Sequence, residues 1–423
     1  MRCLGALVVL ASCAARPDSA ADGFVGRRPT NLVIVSIDTL ARDRTGPSVT
    51  PTLDALATSG VRLANHASCS NWTLQSVLCA QTGLNPLSLP YLAEITLEPE
   101  PRPLPGTLPS YLPEHFSVFA SANAYFSATW GTDAGYARSV FEDDASLTRL
   151  HAQAIELLES GRGASPWVYH LHAFEPHVPY APPQEYLVGL EDLPPIPYDL
   201  SSAPDHYDAL VRWVALSETE RANVLAHMEL RYEAELRWLD DQLADVLADL
   251  RGRGLLADAL VVVWSDHGEG FFEHFNQGHG YALYGEETDA IASMWSETIL
   301  PAVIAAPTTH ADLVPTVLDA LGQPVPPGLD GQPARLVPAD RPRTAFTSAK
   351  SGVVQSAQVA GGRLHYWWSG SHRYYDHAAD PGERTDIYDP SAPGVEAAWA
   401  VLGPEVDAAA ARITSLQPID SGP

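Results

Sequence analysis

Three apolar runs, each followed by ionisable side chains, constrain the fold of this chain more than any other feature. They are NLVIVSID at 31–38, WVYHLHAFEPH at 167–177 and ALVVVWSDH at 259–267. Continuous apolar runs rich in β-branched residues are typical of strands that are buried on both faces. The sequence therefore predicts buried strands that each deliver Asp or His side chains at their carboxyl ends.

Helical patterns lie between these runs. Ala154, Leu157 and Leu158 recur at helical spacing, and leucine and valine follow a 3-4-3-4 pattern over 236–250. Strands that alternate with helices predict an α/β fold with a mostly parallel sheet covered on both faces. In such sheets ligands bind at the carboxyl ends of the strands, which is where the Asp and His side chains are expected.

The end of the chain has a different pattern. After a helical segment at 310–322, closed by Gly322, the chain becomes rich in Pro and Gly. The rest, which includes RLHYWW and HRYYDHAADPGERTDIYD, is interpreted as short strands and turns. We therefore expect a main domain at 30–322 and a small antiparallel C-terminal subdomain at 323–423 that completes the fold.

The net charge limits the kinds of partner that the chain can bind. There are 25 basic and 52 acidic residues, which give a net charge of -27 at pH 7. Such a charge repels phosphate backbones and anionic lipid surfaces. We therefore expect no nucleic-acid partner. Lys350 is the only lysine, so arginine supplies the rest of the positive charge.

The N-terminus, MRCLGALVVLASCAARPDSA, is typical of an export signal. It has a basic start, a short apolar core and small residues, and it is too short to span a bilayer. Its LASC ending resembles a bacterial lipobox. We therefore expect a signal peptide at 1–13, a lipid on Cys13 as the first mature residue, and a tether at 14–29. The protein would then be exported to the bacterial cell envelope, periplasmic or outer membrane, and would contact the membrane only through this lipid. An ordinary cleaved signal peptide is the alternative.

Two cysteines, Cys69 and Cys79, remain in the mature chain. An exported protein can pair them as a disulfide, but two buried free thiols are an equal alternative. The sequence leaves both states open.

Asp38, Asp266 and His267 follow two of the predicted strands. An isolated Asp-His pair is most often part of a turn, but Asp38 at the same sheet edge changes that interpretation. Burying three ionisable groups together is costly unless their charge is compensated, and a divalent cation can do so. Two carboxylates and an imidazole favour zinc or manganese over calcium, which prefers oxygen donors alone.

The segment NWTLQSVLCAQTGLNP at 71–86 places Thr73 just before a short apolar run that ends at Gly83. A threonine at this point caps a helix well. The same helix end presents N–H groups and a positive dipole end that suit a phosphate or sulfate. A hydroxyl there becomes a strong nucleophile when a cation stabilises its alkoxide. The local sequence leaves both interpretations open.

Several segments, in order, resemble the sulfatase branch of the alkaline phosphatase superfamily over about residues 31–388. NLVIVSIDTLARDRTG resembles the first strand and metal aspartate, and NWTLQSVLCAQTGLNP resembles the nucleophile segment. LHAFEPHVPYAPP resembles the histidine-bearing loop, with Glu175 in place of the usual Asp. WSDHGEG, GHGYALYGEE and YYDHAADPGERTDIYD resemble later segments. The resemblance implies an alkaline-phosphatase-like fold and the hydrolysis of esters.

The differences from that family bear on the chemistry. Sulfatases use a formylglycine that is made from cysteine or serine in a Cys/Ser-x-Pro-Ser-Arg context. Thr73 occupies that position here, with Gln75 for the Pro and Val77 for the Arg, and threonine cannot yield the aldehyde. The family's sulfate pocket uses two lysines, whereas Lys350 lies outside every matched catalytic segment. An Asp, Thr, Asp, His set resembles the phosphate-transferring members, which bind zinc or manganese and attack with threonine.

The resemblance also implies roles for individual residues. The implied metal ligands are Asp38, Thr73, Asp266 and His267, and the implied catalytic residues are Thr73, His177 and His279. His177 and His279 match positions that contact the substrate's anionic group or help to hold a second cation. His172 and Glu175 could support the metal ligands, or could join His177 around a second metal, but no complete second ligand set is evident. We therefore expect one metal site.

The sequence thus predicts a metal-dependent hydrolase of phosphate mono- or diesters that acts through a covalent phosphothreonine. Its substrate would be a small molecule or a glycan or lipid ester. Three alternatives remain: a sulfuric ester hydrolase, a transferase of phospho-headgroups in the cell envelope, and a catalytically silent binding lipoprotein on a reused fold. The stretch GEETDAIASMWSETIL at 285–300 replaces the family's usual Arg-Val-Pro continuation, which leaves this edge of the pocket open.

Overall fold

The computed structural model describes residues 23–90, 103–126, 130–274, 276–350 and 352–416. Its strands are β1 (Asn31–Ile37), β2 (Val61–Ala67), β3 (Phe116–Ser121), β4 (Arg138–Phe141), β5 (Trp167–Ala173), β6 (Ala259–Ser265), β7 (Gly270–Phe271), β8 (Gln277–Gly278), β9 (Ala292–Trp295), β10 (Ala302–Thr309), β11 (Arg343–Thr347), β12 (Val354–Val359), β13 (Gly362–Trp367) and β14 (His372–Tyr375). Its α-helices are α1 (Pro51–Ser59), α2 (Thr73–Thr82), α3 (Leu147–Gly161), α4 (Ala203–Arg212), α5 (Glu218–Gly252), α6 (Gly285–Thr288), α7 (Leu313–Ala320) and α8 (Pro393–Leu416). None of the helices in these ranges is long and apolar enough to cross a membrane. The expected signal peptide and Cys13 lie outside the described residues.

The main sheet has eight strands in the order β10-β2-β9-β6-β1-β5-β3-β4. Every neighbouring pair is parallel except the two that involve β9, which runs antiparallel between β2 and β6. This mostly parallel sheet, with helices on its faces, confirms the predicted α/β class. The sequence did not predict β9, which comes from the 285–300 segment.

Alternate side chains of β1 enter two separate hydrophobic cores, as the pleat of a strand requires. Val33, Val35 and Ile37 pack on one face of the sheet with apolar residues of α3 and α5. Leu32 and Ile34 pack on the other face with apolar residues of α2 and α7. Because both faces are covered, β1 needs apolar residues at successive positions, which explains its continuous apolar run.

Parallel pairing brings the carboxyl ends of β1, β5 and β6 to one edge of the main sheet. Ile37 of β1 pairs with Ala173 of β5 and with Ser265 of β6. Asp38 and Asp266, each one residue further along, therefore leave the sheet at the same level. This register places the ionisable side chains together.

Helix α2 begins at Thr73 and ends as the sequence predicts. Gly83 follows it with φ of 74°, in the left-handed region that glycine favours, and its N–H donates to the carbonyl of Cys79 at 3.0 Å. Cys79 also forms a disulfide with Cys69, which precedes the helix. The structure therefore contains the disulfide and not two free thiols.

Strands β11 to β14 form a separate four-stranded antiparallel sheet in chain order. This confirms the predicted C-terminal antiparallel layer. The sequence did not predict α8, which covers this sheet through Val395, Ala398 and Leu402. The N–H of Phe346 in β11 donates to the carbonyl of Cys69 at 3.0 Å, so the small sheet contacts the segment that leads into α2.

Candidate active site

Three of the predicted metal ligands meet at the carboxyl edge of the main sheet. Asp38, Asp266 and His267 are fully buried, and one ligand atom from each lies within 4.8 Å of the others. No other group of three or more Asp, Glu, His or Cys side chains in the described ranges has this spacing. We call these three residues the ligand cluster.

Hydrogen bonds fix one oxygen of each carboxylate and leave the other without a partner. Asp266 Oδ1 accepts from the N–H of Thr39 at 2.9 Å and of His267 at 2.6 Å. Asp38 Oδ2 accepts from Asn123 Nδ2 at 2.6 Å. Asp38 Oδ1 and Asp266 Oδ2 are buried without a hydrogen-bond partner. Because unpaired buried oxygens cost free energy, this arrangement fits a divalent cation bound between them.

His267 presents the nitrogen that a cation requires. Its Nδ1 lies 2.9 Å from the carbonyl of Gly268, which can only accept, so Nδ1 carries the proton and Nε2 a lone pair. Burial lowers the pKa of His267 to about 4, although the charge of Asp38 opposes this. The imidazole is therefore neutral at pH 7, which is the form that binds metals.

The two carboxylates of the ligand cluster differ in their ionisation. Burial and the charge of Asp38 raise the pKa of Asp266 well above its usual value. Burial also opposes ionisation of Asp38, but the charge of His177 and the contact with His172 outweigh it and lower its pKa. Two buried carboxylates this close resist ionising together, and a bound cation would relieve their repulsion.

Thr73 is the first residue of α2, and its hydroxyl joins the ligand cluster. Its Oγ1 lies 3.2 Å from His267 Nε2, and the residue is 3% exposed. Trp72 occupies the N-cap position, and no side chain caps the helix. The interpretation of Thr73 as a helix cap is therefore wrong. Its hydroxyl faces the ligand cluster instead of the N–H groups of its own helix.

The 285–300 segment, whose role the sequence did not predict, supports the turn before α2. Asn71 Nδ2 donates to the carbonyl of Ala282 at 2.5 Å and to Glu287 Oε2 at 2.6 Å. Glu287 Oε2 also accepts from the N–H of Tyr281 at 3.2 Å. These bonds connect the segment to the residue two positions before Thr73.

The rings of His267, His279 and His177 lie in a row, with His279 between the other two. The ring centroids of His267 and His279 are 4.4 Å apart, and those of His279 and His177 are 5.3 Å apart. His279 Nδ1 lies 3.0 Å from Glu269 Oε1. His177 Nδ1 donates to the carbonyl of Val178 at 2.7 Å, which leaves its Nε2 for a substrate or a proton. The structure thus brings both predicted histidines to the site.

His172 and Glu175 do not form a second cluster of metal ligands with His177. His172 Nε2 lies 3.5 Å from Asp38 Oδ2, next to the ligand cluster. Glu175 Oε1 instead accepts from Gln242 Nε2 of α5 at 3.0 Å. The sequence suggested both either as supports of the metal ligands or as second-metal ligands, but Glu175 is drawn towards α5 by this hydrogen bond.

Two residues at the site were missed from the sequence. Lys350 Nζ lies 5.7 Å from the ring centroid of Trp72 and 4.9 Å from that of Tyr281. Burial lowers the pKa of His279 well below its usual value, and the charges of His267 and Lys350 add to this effect. No local pattern marks Lys350, because it reaches the site from the C-terminal subdomain. Asn123 could have been found from the sequence, since it closely follows the apolar run that forms β3.

A cleft of about 890 Å³ lies away from the ligand cluster. Leu190, Tyr198, His227 and Arg231 are among its lining residues, and no residue of the ligand cluster lines it. The candidate active site is therefore identified by its metal-ligating residues and not by the size of a cleft.

A comparison with protein families identifies the fold. The family model described as Sulfatase matches residues 30–323, which is more than half of the chain. The chain belongs to the sulfatase family. It is therefore a sulfatase-like ester hydrolase of the alkaline phosphatase superfamily, as the sequence predicts. Sulfatases use a divalent metal, which agrees with the buried donor set of the ligand cluster.

Solved structures share the sulfatase architecture. BT4656, in complex with its substrate D-glucosamine-2-N,6-O-disulfate, matches with a TM-score of 0.72 and 16% identity, over 94% of this chain and 100% of that chain. BT1596, a 2-O GAG sulfatase, matches with a TM-score of 0.68 and 17% identity, over 92% and 94%. The phosphonate monoester hydrolase SpPMH from Silicibacter pomeroyi matches with a TM-score of 0.65 and 17% identity, over 92% and 96%. At these identities the similarity establishes the fold alone.

Proposed function

We propose that the protein is a cation-dependent hydrolase of phosphate mono- or diesters with Thr73 as its nucleophile. The observation that supports this most directly is the position of the Thr73 hydroxyl, 3.2 Å from His267 Nε2 at the edge of the ligand cluster. A hydroxyl beside a group that can bind a cation, at the start of a helix, is placed to attack an anionic ester.

The identity of the nucleophile favours phosphorus over sulfur. Sulfatases depend on a formylglycine that a threonine cannot yield, so Thr73 cannot follow their route. A threonine hydroxyl can attack phosphorus directly and be regenerated by water. One of the similar structures is named a phosphonate monoester hydrolase, which shows that this fold occurs with phosphorus chemistry.

The residues of the ligand cluster would hold the cation. Asp38 Oδ1 and Asp266 Oδ2 are the oxygens that lack partners, and His267 Nε2 carries the available lone pair. When bound there, a divalent cation would stabilise negative charge on the Thr73 oxygen and polarise a substrate oxygen. Carboxylate and imidazole donors favour zinc or manganese.

The reaction has two displacements at phosphorus. In the first, the Thr73 oxygen bonds to phosphorus while the bond from phosphorus to the leaving oxygen breaks. In the second, water attacks the phosphothreonine and Thr73 is released. The Thr73 hydroxyl must lose a proton and the leaving oxygen must gain one. His279 and His177 are the imidazoles beside the ligand cluster that can transfer these protons.

The rival activity is the hydrolysis of sulfate esters. The sulfatase family match favours it, and so does Lys350, because the family's sulfate pocket uses lysine. One lysine at the rim does not replace the missing formylglycine. We therefore keep sulfate hydrolysis as the outcome that a substrate comparison would reveal.

The test measures turnover of an aryl phosphate monoester, an aryl phosphate diester and an aryl sulfate with added Zn²⁺ or Mn²⁺. We expect wild type to prefer a phosphate ester and Thr73→Ala to lose about 10³-fold or more of that activity. Thr82→Ala is the matched control, because Thr82 is a buried threonine of the same helix whose hydroxyl donates to the carbonyl of Leu78 at 2.6 Å. Full cation-dependent turnover by Thr73→Ala would refute the proposal, and a preference for the aryl sulfate would support the rival.

A further inference from the structure

A chain of buried hydrogen bonds runs beneath the ligand cluster and ends at His172, beside Asp38. Hydrogen bonds link Tyr136 Oη to His170 Nδ1 at 2.7 Å, His170 Nε2 to Ser36 Oγ at 2.9 Å, and Ser36 Oγ to His172 Nδ1 at 2.8 Å. His172 Nε2 has no hydrogen-bond partner and lies 3.5 Å from Asp38 Oδ2. His170 is 1% exposed, and Ser36 and His172 have no exposed surface. The mechanism above uses only the last of these residues, Asp38.

The chain follows from the register of two neighbouring strands. Ser36 of β1 is paired with His172 of β5. His170 and His172 are two residues apart on β5, so their side chains lie on the same face of the sheet, and Ser36 Oγ bridges them. Such a bridge requires a hydroxyl at 36 and imidazoles at 170 and 172.

Only one direction of hydrogen bonding directs a proton of His172 towards Asp38. Asp38 Oδ2 is a carboxylate oxygen 3.5 Å from His172 Nε2, so an N–H on that nitrogen faces it more favourably than a lone pair does. His172 Nδ1 then accepts from the hydroxyl of Ser36, which in turn accepts from His170 Nε2. His170 Nδ1 accepts from the phenol of Tyr136. In the opposite direction, a lone pair of His172 would face the carboxylate of Asp38.

We propose that His172 is a positioning residue for Asp38 and not a ligand of a second cation. The chain from Tyr136 through His170 and Ser36 fixes the His172 Nε2–H towards Asp38 Oδ2. That oxygen accepts from Asn123 and faces His172 at 3.5 Å, while the other oxygen of Asp38 is presented to the cation. The inference rests on the cation site of the proposed function.

Partners of metal ligands normally change metal affinity when they are removed. Removing a residue that orients a ligating carboxylate typically lowers metal affinity by about 10- to 100-fold. In this chain Ser36 reaches the ligand cluster through His172. Its loss should therefore act on the cation only through the orientation of His172 and Asp38.

The direction of the chain can be read from the protonated ring nitrogens. Long-range ¹H–¹⁵N spectra of ¹⁵N-histidine-labelled wild type distinguish the two neutral tautomers, and His170→Gln and His172→Gln assign the two rings. We expect both rings to be protonated on Nε2. Protonation of His172 on Nδ1 would leave its lone pair towards Asp38, as a second-cation ligand requires, and would overturn the proposal.

Metal titration supplies the second test. We expect wild type to bind one equivalent of Zn²⁺, Ser36→Ala to bind one equivalent about tenfold more weakly, and His172→Gln, which keeps an N–H donor, to bind one equivalent. Ser296→Ala is the matched control, because Ser296 is a buried, hydrogen-bonded serine that follows the antiparallel β9. Two tight equivalents in wild type with one lost in His172→Gln, or unchanged affinity in Ser36→Ala, would overturn the proposal.

These outcomes are separable from a failure of the proposed function. If wild type binds one Zn²⁺ but hydrolyses no ester, the proposed function fails, while the affinity of Ser36→Ala still decides the role of the chain. If wild type hydrolyses a phosphate ester and Ser36→Ala binds Zn²⁺ as wild type does, only the further inference fails. If wild type binds no Zn²⁺, both fail.

Discussion

Single atoms decide what the site can do. Asp38 Oδ1 and Asp266 Oδ2 are buried without hydrogen-bond partners, and His267 Nε2 keeps a lone pair because Nδ1 is tied to a carbonyl. The sequence could identify these three residues, since each follows an apolar strand. It could not predict which oxygen remains without a partner, because that depends on donors such as Asn123 from other strands.

A buried glutamate away from the ligand cluster gives a prediction about stability and pH. Burial, with the charge of Glu175, raises the pKa of Glu235 to about 8. The unfolded chain releases this proton near pH 4.5, whereas the folded protein keeps it until about pH 8. The free energy of unfolding should therefore fall as pH rises through this window, by about 1–3 kcal/mol.

Glu235→Gln should remove this dependence. The amide can still accept from the N–H of Ala181, as Glu235 does at 2.7 Å, and it carries no charge at any pH. Urea unfolding of wild type and variant at pH 5 and pH 8.5 measures the difference. The control is Glu233→Gln, which loses only a surface ion pair with Arg237. An equal pH slope in wild type and Glu235→Gln would contradict the assignment.

The strands and helices determine where the atoms of the ligand cluster lie. The register of β1, β5 and β6 was within reach of the sequence, because three apolar runs with polar ends imply parallel strands that finish at one edge. Strand β9 was not, since four residues between turns carry little pattern and their partners β2 and β6 are distant in the chain. The local sequence also left the orientation of Thr73 open, because a threonine at a helix start often caps the helix.

The disulfide that joins Cys69 to α2 gives a prediction at this scale. It closes a loop with a sequence separation of 10, so removing it should lower the free energy of unfolding by about 2–3 kcal/mol through the entropy of the unfolded chain. Denaturant unfolding of a Cys69→Ala/Cys79→Ala double variant measures this. A reducing agent should destabilise wild type and leave the double variant unchanged. Equal stability of the oxidised wild type and the double variant would contradict the prediction.

The net charge of the whole molecule and the packing of its C-terminal subdomain both affect the active site. A net charge of -27 repels anionic substrates in general, so a local positive charge at the site matters more. Lys350 provides it, from the segment between β11 and β12, against Trp72 and Tyr281 of the main domain. The sequence could not predict this contact, because it depends on how the C-terminal sheet packs beside the nucleophile segment.

Lys350→Met should therefore alter substrate preference. Loss of the charge should lower kcat/KM for a dianionic phosphate monoester by about tenfold, which is equivalent to about 1.4 kcal/mol, and for a monoanionic diester by less. The measurement compares the ratio of wild-type to variant kcat/KM for the monoester with the same ratio for the diester. Arg335→Met, which removes a surface pair with Asp319, is the control. Equal losses for both substrates would contradict a charge-specific role.

The stereochemical course at phosphorus tests the covalent role of Thr73 most directly. A thiophosphate monoester made chiral at phosphorus with oxygen isotopes is hydrolysed by wild type in water that carries a third oxygen isotope. Attack by Thr73 followed by attack of water inverts phosphorus twice, so the mechanism predicts net retention. Net inversion would show a single displacement by water and would contradict a phosphothreonine intermediate.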